Sequence, residues 1–395
     1  MASSLKKTNY KLTLYASYTG YITQAVVNSF APLLFLTFQS EFAIPLEQIT
    51  LLVTLNFSIQ LIVDLVSMKV IDLLGYKPCI IAANIFAAAG LICLGVLPYI
   101  LPKPYIGILI SVFIYAVGGG LLEVLVSPIV EACPFENKSG VMSMLHSFYC
   151  WGCVIVALVS TGFFALFGIS HWRILAVAWA VVPVLNIVMF ALSPIPELVP
   201  EGKGMSLKEL LGTRVIWIFF ILMLCAGAAE QSMSQWASAF VESALNISKT
   251  YSDLVGPCMF SVLMGTSRAL YGKFSAKCKL MPCMILSCVL CIISYLLATL
   301  CQSAVLGLAG CALCGFSVGI LWPGVFSMVS EKVPKGGTAM FAMMALGGDL
   351  GCDSGPTLVG FVSDAAGSMN TGLLAGIIFP VILIAGLLML RKIRQ

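Results

Sequence analysis

Residues 107–130 read GILISVFIYAVGGGLLEVLVSPIV, an apolar run whose only formally charged side chain is Glu123. This run is long enough for a helix to cross a bilayer, which takes about 20 apolar residues. A carboxylate in the middle of such a helix costs about 2.5–3.5 kcal/mol on insertion scales, so it usually faces a protein interior or a water-filled path. The stretch predicts a membrane helix with one functional acid, and a neutral, hydrogen-bonded core glutamate is the simpler alternative.

The composition of the whole chain indicates the same environment. The 395 residues are 60% hydrophobic and only 10% charged, whereas soluble domains average about 25% charged residues. The apolar runs are continuous rather than alternating, which favours helices over a barrel. The basic residues behind the net charge of +4 are scattered at the ends of the runs. We therefore predict an all-α membrane protein whose partner is the lipid bilayer and not a nucleic acid.

Twelve apolar runs approach the length of a membrane span. Their approximate bounds are 10–38, 47–70, 78–101, 104–131, 141–168, 172–193, 214–242, 252–275, 280–301, 304–330, 337–362 and 370–391. If the amino terminus is cytoplasmic, only Lys103, Arg173 and Lys249 of the 21 Lys and Arg residues fall outside, which leaves 18 inside. Because cytoplasmic loops are rich in Lys and Arg, this bias predicts that both termini are cytoplasmic. The short loops favour a bacterial cytoplasmic membrane.

The chain divides into two halves of six spans. The long polar connection at 194–213 separates an amino-terminal half, 1–193, from a carboxy-terminal half, 214–395. An internal repeat supports this division, because Gly120 precedes Pro128 by eight residues in span four and Gly315 precedes Pro323 by eight in span ten. Two repeats of this kind are typical of secondary transporters, whose binding sites lie near the midplane at the repeat interface.

Several motifs resemble those of the major facilitator superfamily. After span two, Asp72-Leu-Leu-Gly75-Tyr-Lys77 matches the core of its cytoplasmic signature, although Met68 replaces the glycine that precedes it there. The segment from Gly265 to Lys273 is a diverged second copy that contains Arg268. The resemblance implies a fold of twelve transmembrane helices in two six-helix repeats. It also implies a cytoplasmic gate formed by Asp72, Gly75, Lys77 and Arg268.

A packing motif in span eleven belongs to the same resemblance. The stretch Gly351-Cys-Asp-Ser-Gly355-Pro356 is similar to a Gly-x-x-x-Gly-Pro motif of that superfamily. Small residues at this spacing let two helix backbones approach closely. We therefore expect span eleven to pack tightly against a neighbouring helix.

Within that superfamily, the chain resembles the fucose-permease-like sugar transporters. Glu123-Val-Leu-Val-Ser-Pro128 in span four is similar to their Glu-x-x-x-x-Pro, and Asn28-Ser-Phe-Ala-Pro32 in span one to their Asn/Asp-x-x-x-Pro. The stretch from Gly227 to Trp236 is similar to the start of their second half. Fucose permeases carry a titratable Asp where this chain has Asn28, so their proton mechanism does not transfer directly.

The candidate substrate-binding residues are polar or aromatic side chains inside the spans. Amides and carboxylates bind hydroxyl groups, and an indole face packs on the C–H face of a sugar ring. No Lys or Arg lies deep in any predicted span, which argues against a phosphorylated solute. The candidates are Gln24, Asn28, Asn56, Gln60, His146, Trp151, Glu230, Gln235, Trp236, Trp322 and Asp349. Isolated amides in membrane helices also serve merely as links between helices, and tryptophans as core anchors.

Glu123 and His146 are the candidates for ion coupling. A deep carboxylate can take up a proton on one side and release it on the other, and an imidazole has an ordinary pKa of about 6.5. Carboxylate and amide oxygens also bind hard cations, so sodium stays an alternative to the proton. The cysteine pairs 150/153, 288/291 and 311/314 lie inside spans, where Cys behaves as a small hydrophobe. We expect no metal site and no cofactor.

These features predict a monomeric secondary transporter that moves a small neutral polar solute, most simply a sugar, by alternating access driven by a proton or sodium gradient. An exporter of amphipathic compounds or drugs by proton antiport is the alternative within transport. A membrane sensor would be expected to carry a signalling domain. An enzyme is not predicted, because no Gly-x-Ser-x-Gly, His-Glu-x-x-His or Walker loop occurs.

Overall fold

A computed structural model describes residues 9–196, 204–245, 249–301 and 303–392, and these residues form helices and no strand. The structure thus confirms the all-α class. The helices are α1 Lys11–Ser29, α2 Phe35–Phe42, α3 Leu46–Leu74, α4 Tyr76–Ile100, α5 Pro104–Ala132, α6 Lys138–Phe167, α7 Trp172–Trp179, α8 Val181–Leu192, α9 Leu207–Leu211, α10 Arg214–Leu245, α11 Lys249–Phe274, α12 Leu280–Leu300, α13 Ala304–Val318, α14 Leu321–Lys332, α15 Gly337–Ala366, α16 Met369–Ala375 and α17 Ile378–Lys392.

Each predicted span falls on helical chain, and eight helical stretches of the described residues are long and apolar enough to cross a membrane. Those eight include α4, α5, α6 and α12 as single helices. The other four predicted spans fall on α1 with α2, α3, α11 and α15. These helices carry many of the polar candidates, including both amides of span one and both of span two.

Four of the predicted spans are each divided into two helices. In three of them the break lies where a proline removes a backbone donor. Proline cannot bond to the carbonyl four residues earlier, and the breaks at Ala180, at Gly319–Ile320 and at Gly376–Ile377 lie three or four residues before Pro183, Pro323 and Pro380. In the first span a short 3₁₀ turn, Ala31–Leu34, separates α1 from α2 and has Pro32 in its first turn. Hydropathy alone could not locate these breaks.

The first compact unit comprises Met1–Pro134 and Ile155–Gly202. Its helices pack at short range because glycines lie between them. A Cβ built at Gly118 of α5 would lie 2.6 Å from the carbonyl oxygen of Ala83 in α4. An apolar core that includes the fully buried Phe30, Phe38 and Trp172 fills the unit.

The second unit comprises Phe135–Val154 and Lys203–Gln395, so α6 contributes residues to both units. Its helices α10 and α15 approach each other closely. A Cβ at Gly351 would lie 2.0 Å from the Leu224 carbonyl oxygen, and one at Gly355 would lie 2.6 Å from the Ala228 carbonyl oxygen. This confirms the packing role predicted for the glycines of span eleven. The division of the sequence at 193 and 214 stays a prediction.

The predicted internal repeat has a structural counterpart in each unit. In the first unit, a Cβ at Gly120 of α5 would lie 3.0 Å from the Cα of Gln60 in α3. In the second, a Cβ at Gly315 of α13 would lie 2.5 Å from the Phe260 carbonyl oxygen in α11. The glycine eight residues before the proline therefore brings span four against span two and span ten against span eight.

Candidate functional site

Glu123 is held by an amide from another helix of the first unit. Nε2 of Gln24 in α1 donates to Oε2 of Glu123 in α5 over 2.7 Å. Gln24 is only 4% exposed, and its Oε1 has no hydrogen-bond partner among the described residues. A buried polar atom without a partner costs about 1–3 kcal/mol. Glu123 therefore lies next to the Gln24 amide, whose carbonyl oxygen Oε1 can accept a further hydrogen bond.

A second set of amides lies one helical turn further along α1. Oδ1 of Asn28 accepts hydrogen bonds from Nε2 of Gln60 at 2.9 Å and from Nδ2 of Asn56 at 3.3 Å. Asn56 and Gln60 are one turn apart in α3, and Gln24 and Asn28 are one turn apart in α1, so each pair shares a helix face. The structure thus brings these four amides and Glu123 together as one polar cluster of the first unit.

Residues of α5 contact both helices that carry the amides of this cluster. A Cβ at Gly120 would lie 3.0 Å from the Cα of Gln60, so the absence of a side chain there lets α5 approach the backbone that carries this amide. Between α1 and α5, the Tyr21 hydroxyl and Ser127 Oγ form a hydrogen bond of 2.8 Å. The sequence did not single out Tyr21 or Ser127.

The residues predicted for the cytoplasmic gate lie in two places. Gly75 directly follows α3 with φ of 83° and ψ of 164°, a conformation that favours glycine, and α4 begins at the next residue. Lys77 Nζ donates to the Ser193 carbonyl oxygen at 3.1 Å. The side chain of Asp72 lies outside the described parts of the structure. Arg268 belongs to the second unit and is buried.

Arg268 and Glu230 form a buried ion pair in the second unit. Nη2 of Arg268 in α11 lies 2.9 Å from Oε2 of Glu230 in α10, and the two side chains are 4% and 10% exposed. The sequence groups Arg268 with the predicted gate residues and predicts no Lys or Arg deep in a span. The guanidinium of Arg268, a residue of the predicted span 252–275, is enclosed by protein. Its gate role stays a prediction.

The remaining guanidinium donors of Arg268 reach three further acceptors. Nε donates to the Gly319 carbonyl oxygen at 2.7 Å, and Nη1 donates to the His146 carbonyl oxygen at 3.2 Å and to Cys150 Sγ at 3.1 Å. Pro323 has no N–H, so the Gly319 carbonyl lacks its usual helical partner. Arg268 therefore satisfies a carbonyl that the helix break leaves free.

His146 and the predicted tryptophans pack inside the second unit. The imidazole of His146 stacks on Phe326 with ring centroids 5.8 Å apart. Trp236 Nε1 donates to the Pro356 carbonyl oxygen at 3.1 Å. Trp322 is 8% exposed, and a Cβ at Gly227 would lie 3.1 Å from its ring.

The other candidates of the second unit are less enclosed. Trp151 is half-buried, and a Cβ at Gly265 would lie 3.2 Å from its ring. Gln235 is exposed and donates to Gln231 Oε1 at 3.4 Å. Asp349 is half-buried on α15. Glu230, by contrast, is buried and forms an ion pair with Arg268. The sequence signal that could have indicated this pair is the presence of an arginine within the predicted span 252–275.

Comparisons with known protein families and solved structures identify this fold. A sequence model of the Major Facilitator Superfamily matches residues 17–356. No curated protein sequence matches the chain. Among solved structures, a variant of the E. coli fucose:proton symporter FucP superposes with a TM-score of 0.82 at 18% identity, covering 98% of this chain and 99% of that one.

Two further structures share the fold. The proton:xylose symporter XylE has a TM-score of 0.80 at 11% identity and covers 97% of this chain and 95% of its own. The human organic anion transporter MFSD10 has a TM-score of 0.74 at 14% identity and covers 96% and 100%. These similarities confirm the predicted twelve-helix fold, and identities this low establish the fold alone. The family match over most of the chain establishes the family: this multi-pass membrane protein is a member of the Major Facilitator Superfamily.

Proposed function

We propose that the chain is a secondary active transporter that imports a small neutral polar solute, most simply a sugar, by alternating access coupled to a proton gradient, with sodium as the alternative ion. The observation that carries the proposal is Glu123, a carboxylate within an apolar helix, held at 2.7 Å by the buried amide of Gln24. Acids inside membrane helices are rare, and they mark ion and proton pathways.

The solute class is inferred from the chemistry around that acid. Asn28, Asn56 and Gln60 present amide donors and acceptors that suit hydroxyl groups, and the fucose and xylose symporters share the fold. The further contacts in this proposal are the remaining candidates from the sequence, namely His146, Trp151, Glu230, Gln235, Trp236, Trp322 and Asp349. Glu230 already forms an ion pair with Arg268. In this proposal Glu230 therefore positions Arg268 and also contacts the solute.

The direct test is Glu123→Gln, which keeps the shape of the side chain and removes its titration. Purified protein in proteoliposomes is given labelled sugars, amino acids and drugs, with and without an imposed proton or sodium gradient. The wild type is expected to accumulate a sugar under one gradient. The variant is expected to lose accumulation by at least tenfold but to keep counterflow exchange, because exchange needs no net proton release.

Glu136→Gln is the matched control, because Glu136 is an exposed carboxylate in the turn after α5. It should transport as the wild type does. A Glu123→Gln protein that still concentrates solute under a gradient would refute the coupling role. Loss of both accumulation and exchange in a folded protein would assign Glu123 to binding or packing instead.

A carrier of organic anions is the second candidate, and Arg268 is the observation that favours it. Its buried guanidinium could exchange Glu230 for a carboxylate of the solute, as bidentate pairing of arginine with carboxylates allows. The solved organic anion transporter MFSD10 shares the fold. Including hexuronates and dicarboxylates in the same uptake panel separates the two. Uptake of anions but not of neutral sugars, abolished by Arg268→Gln in protein that is shown to stay folded, would favour this second candidate.

A further inference from the structure

A cavity of about 510 Å³ opens in the first unit beside the end of α4 and the start of α7. Gly95 lines one side, and Ser170, His171 and Arg173 line the other. A Cβ at Gly95 would lie 2.9 Å from the Arg173 carbonyl oxygen, so a larger residue would separate the two helices. None of these residues belongs to the polar cluster around Glu123.

The guanidinium of Arg173 is fixed in this cavity. Its Nε donates to the Gly95 carbonyl oxygen at 2.9 Å, and its central carbon lies 3.7 Å from the centre of the Tyr99 ring. Among the described residues, no acceptor bonds to Nη1 or Nη2. The guanidinium therefore has free donors in a fixed orientation.

No carboxylate neutralises Arg173 within the described chain. Glu41 accepts hydrogen bonds from Trp172 Nε1 at 2.9 Å and from the Tyr99 hydroxyl, and it makes no ion pair with Arg173. The Glu41 carboxylate thus accepts hydrogen bonds from two neutral donors, Trp172 and Tyr99. The Arg173 guanidinium lies over the face of the Tyr99 ring. The cavity retains a positive charge for which an anion would be the natural partner.

The rim of the cavity is apolar and exposed. Ile174 is 60% exposed and Val177 is 41% exposed. In a multi-pass membrane protein such residues meet lipid chains. The cavity lies next to the end of α4 at Ile100 and the start of α7 at Trp172, and helix ends with Trp and Tyr typically lie at the level of the headgroups. A ligand here would meet a cation at its head and apolar side chains along its tail.

We propose that this cavity, defined by Gly95, Ser170, Arg173, Ile174 and Val177, binds one anionic phospholipid. The phosphate accepts hydrogen bonds from both Nη atoms of Arg173, a pairing whose planar geometry suits phosphate oxygens, and from the Ser170 hydroxyl. The acyl chain lies over Ile174 and Val177. A zwitterionic lipid fits less well, because its ammonium group brings a second positive charge to the site.

The test uses the full chain purified in a neutral detergent and titrated with phosphatidylglycerol or phosphatidylcholine. Native mass spectrometry counts bound lipid, and thermal unfolding is recorded in parallel. The wild type should retain phosphatidylglycerol in preference to phosphatidylcholine. Arg173→Gln should weaken phosphatidylglycerol binding about fivefold, which corresponds to about 1 kcal/mol for one basic residue near an anionic surface.

Two variants and one soluble probe make the result decisive. Arg173→Lys keeps the charge and should retain most of the preference, which also covers the case in which Arg173→Gln fails to fold. Lys103→Gln removes an exposed cation that does not line the cavity and should bind as the wild type does. Equal retention of the two lipids by the wild type would overturn the proposal. So would equal stabilisation by glycerol phosphate, which would identify a site for free anions.

Discussion

Replacing Arg268 by Gln should destabilise the second unit strongly, because one residue supports three helices and a helix break. The substitution removes the ion pair to Glu230 at 2.9 Å and the donors to the carbonyl oxygens of Gly319 at 2.7 Å and His146 at 3.2 Å. It also leaves Glu230, 7% exposed, as a buried carboxylate without its cation.

The magnitude follows from what each variant leaves unpaired. Breaking a buried ion pair by removing one partner costs about 3–5 kcal/mol, so Arg268→Gln and Glu230→Gln should each cost about that much. The double variant contains neither buried charge. It loses hydrogen bonds to Arg268, each net about 1 kcal/mol, so it should cost about 2–3 kcal/mol. The two substitutions should therefore be coupled by about 3 kcal/mol or more.

The assay is reversible unfolding of the purified protein in mixed micelles, for the wild type, both single variants and the double variant. Arg268→Lys is the control that keeps the charge but loses the planar set of donors, and it should fall between the wild type and Arg268→Gln. Additive single effects would refute the reasoning. So would an Arg268→Gln protein within about 1 kcal/mol of the wild type, which is the range of an exposed pair.

Three further outcomes follow from the structure and the sequence. Gly351→Ala should cost about 2–3 kcal/mol of unfolding free energy by forcing α10 and α15 apart, whereas Gly162→Ala, with nothing within 4 Å of its Cβ, should be neutral or slightly stabilising. Asp72→Asn should favour the inward-open state, and unchanged distances between spin labels at the ends of α3 and α11 nearest the proposed gate would contradict this. Hydrogen bonds from Ser206 hold the pKa of the Glu209 carboxyl below its ordinary 4.5, so this stabilisation is present above pH 4.5 and lost as the pH falls through the lowered value. Ser206→Ala should reduce that pH dependence, measured as unfolding between pH 3 and 7, but not abolish it, because the backbone N–H of residue 206 still donates to the Glu209 carboxylate.

The fold could be predicted largely from hydropathy, because a bilayer sets the length of every span. The positions of the helix breaks could not, since they depend on which backbone carbonyls lose a partner and on what replaces it. Gly319 illustrates this. Pro323 indicates that its carbonyl is free, but only the structure shows that Arg268, 51 residues away in the chain, donates to it at 2.7 Å.

The candidate site was predictable where the pattern lies within one helix. Gln24 with Asn28, and Asn56 with Gln60, share faces because they are four residues apart. Which helix each face meets depends on packing between spans, and that depends on close approaches such as the one at Gly120. The Gln24–Glu123 hydrogen bond joins residues 99 apart, so neither spacing nor composition could indicate it.

Glu123, which is half-buried, and Glu230, which is buried, have different hydrogen-bond donors, and this difference bears on which acid can carry a proton. Arg268 pairs with the ionised form of Glu230, so protonation of that acid would leave a buried cation without compensation. Nε2 of Gln24 donates to an oxygen of Glu123 whether the acid is ionised or neutral. Under the proposed function, Glu123 would therefore keep its hydrogen bond to Gln24 when it changes protonation, whereas protonation of Glu230 would break its ion pair with Arg268. The same comparison favours a neutral solute, because the charge of Arg268 is already balanced by Glu230 at 2.9 Å. An anionic solute would have to displace that carboxylate before it could bind.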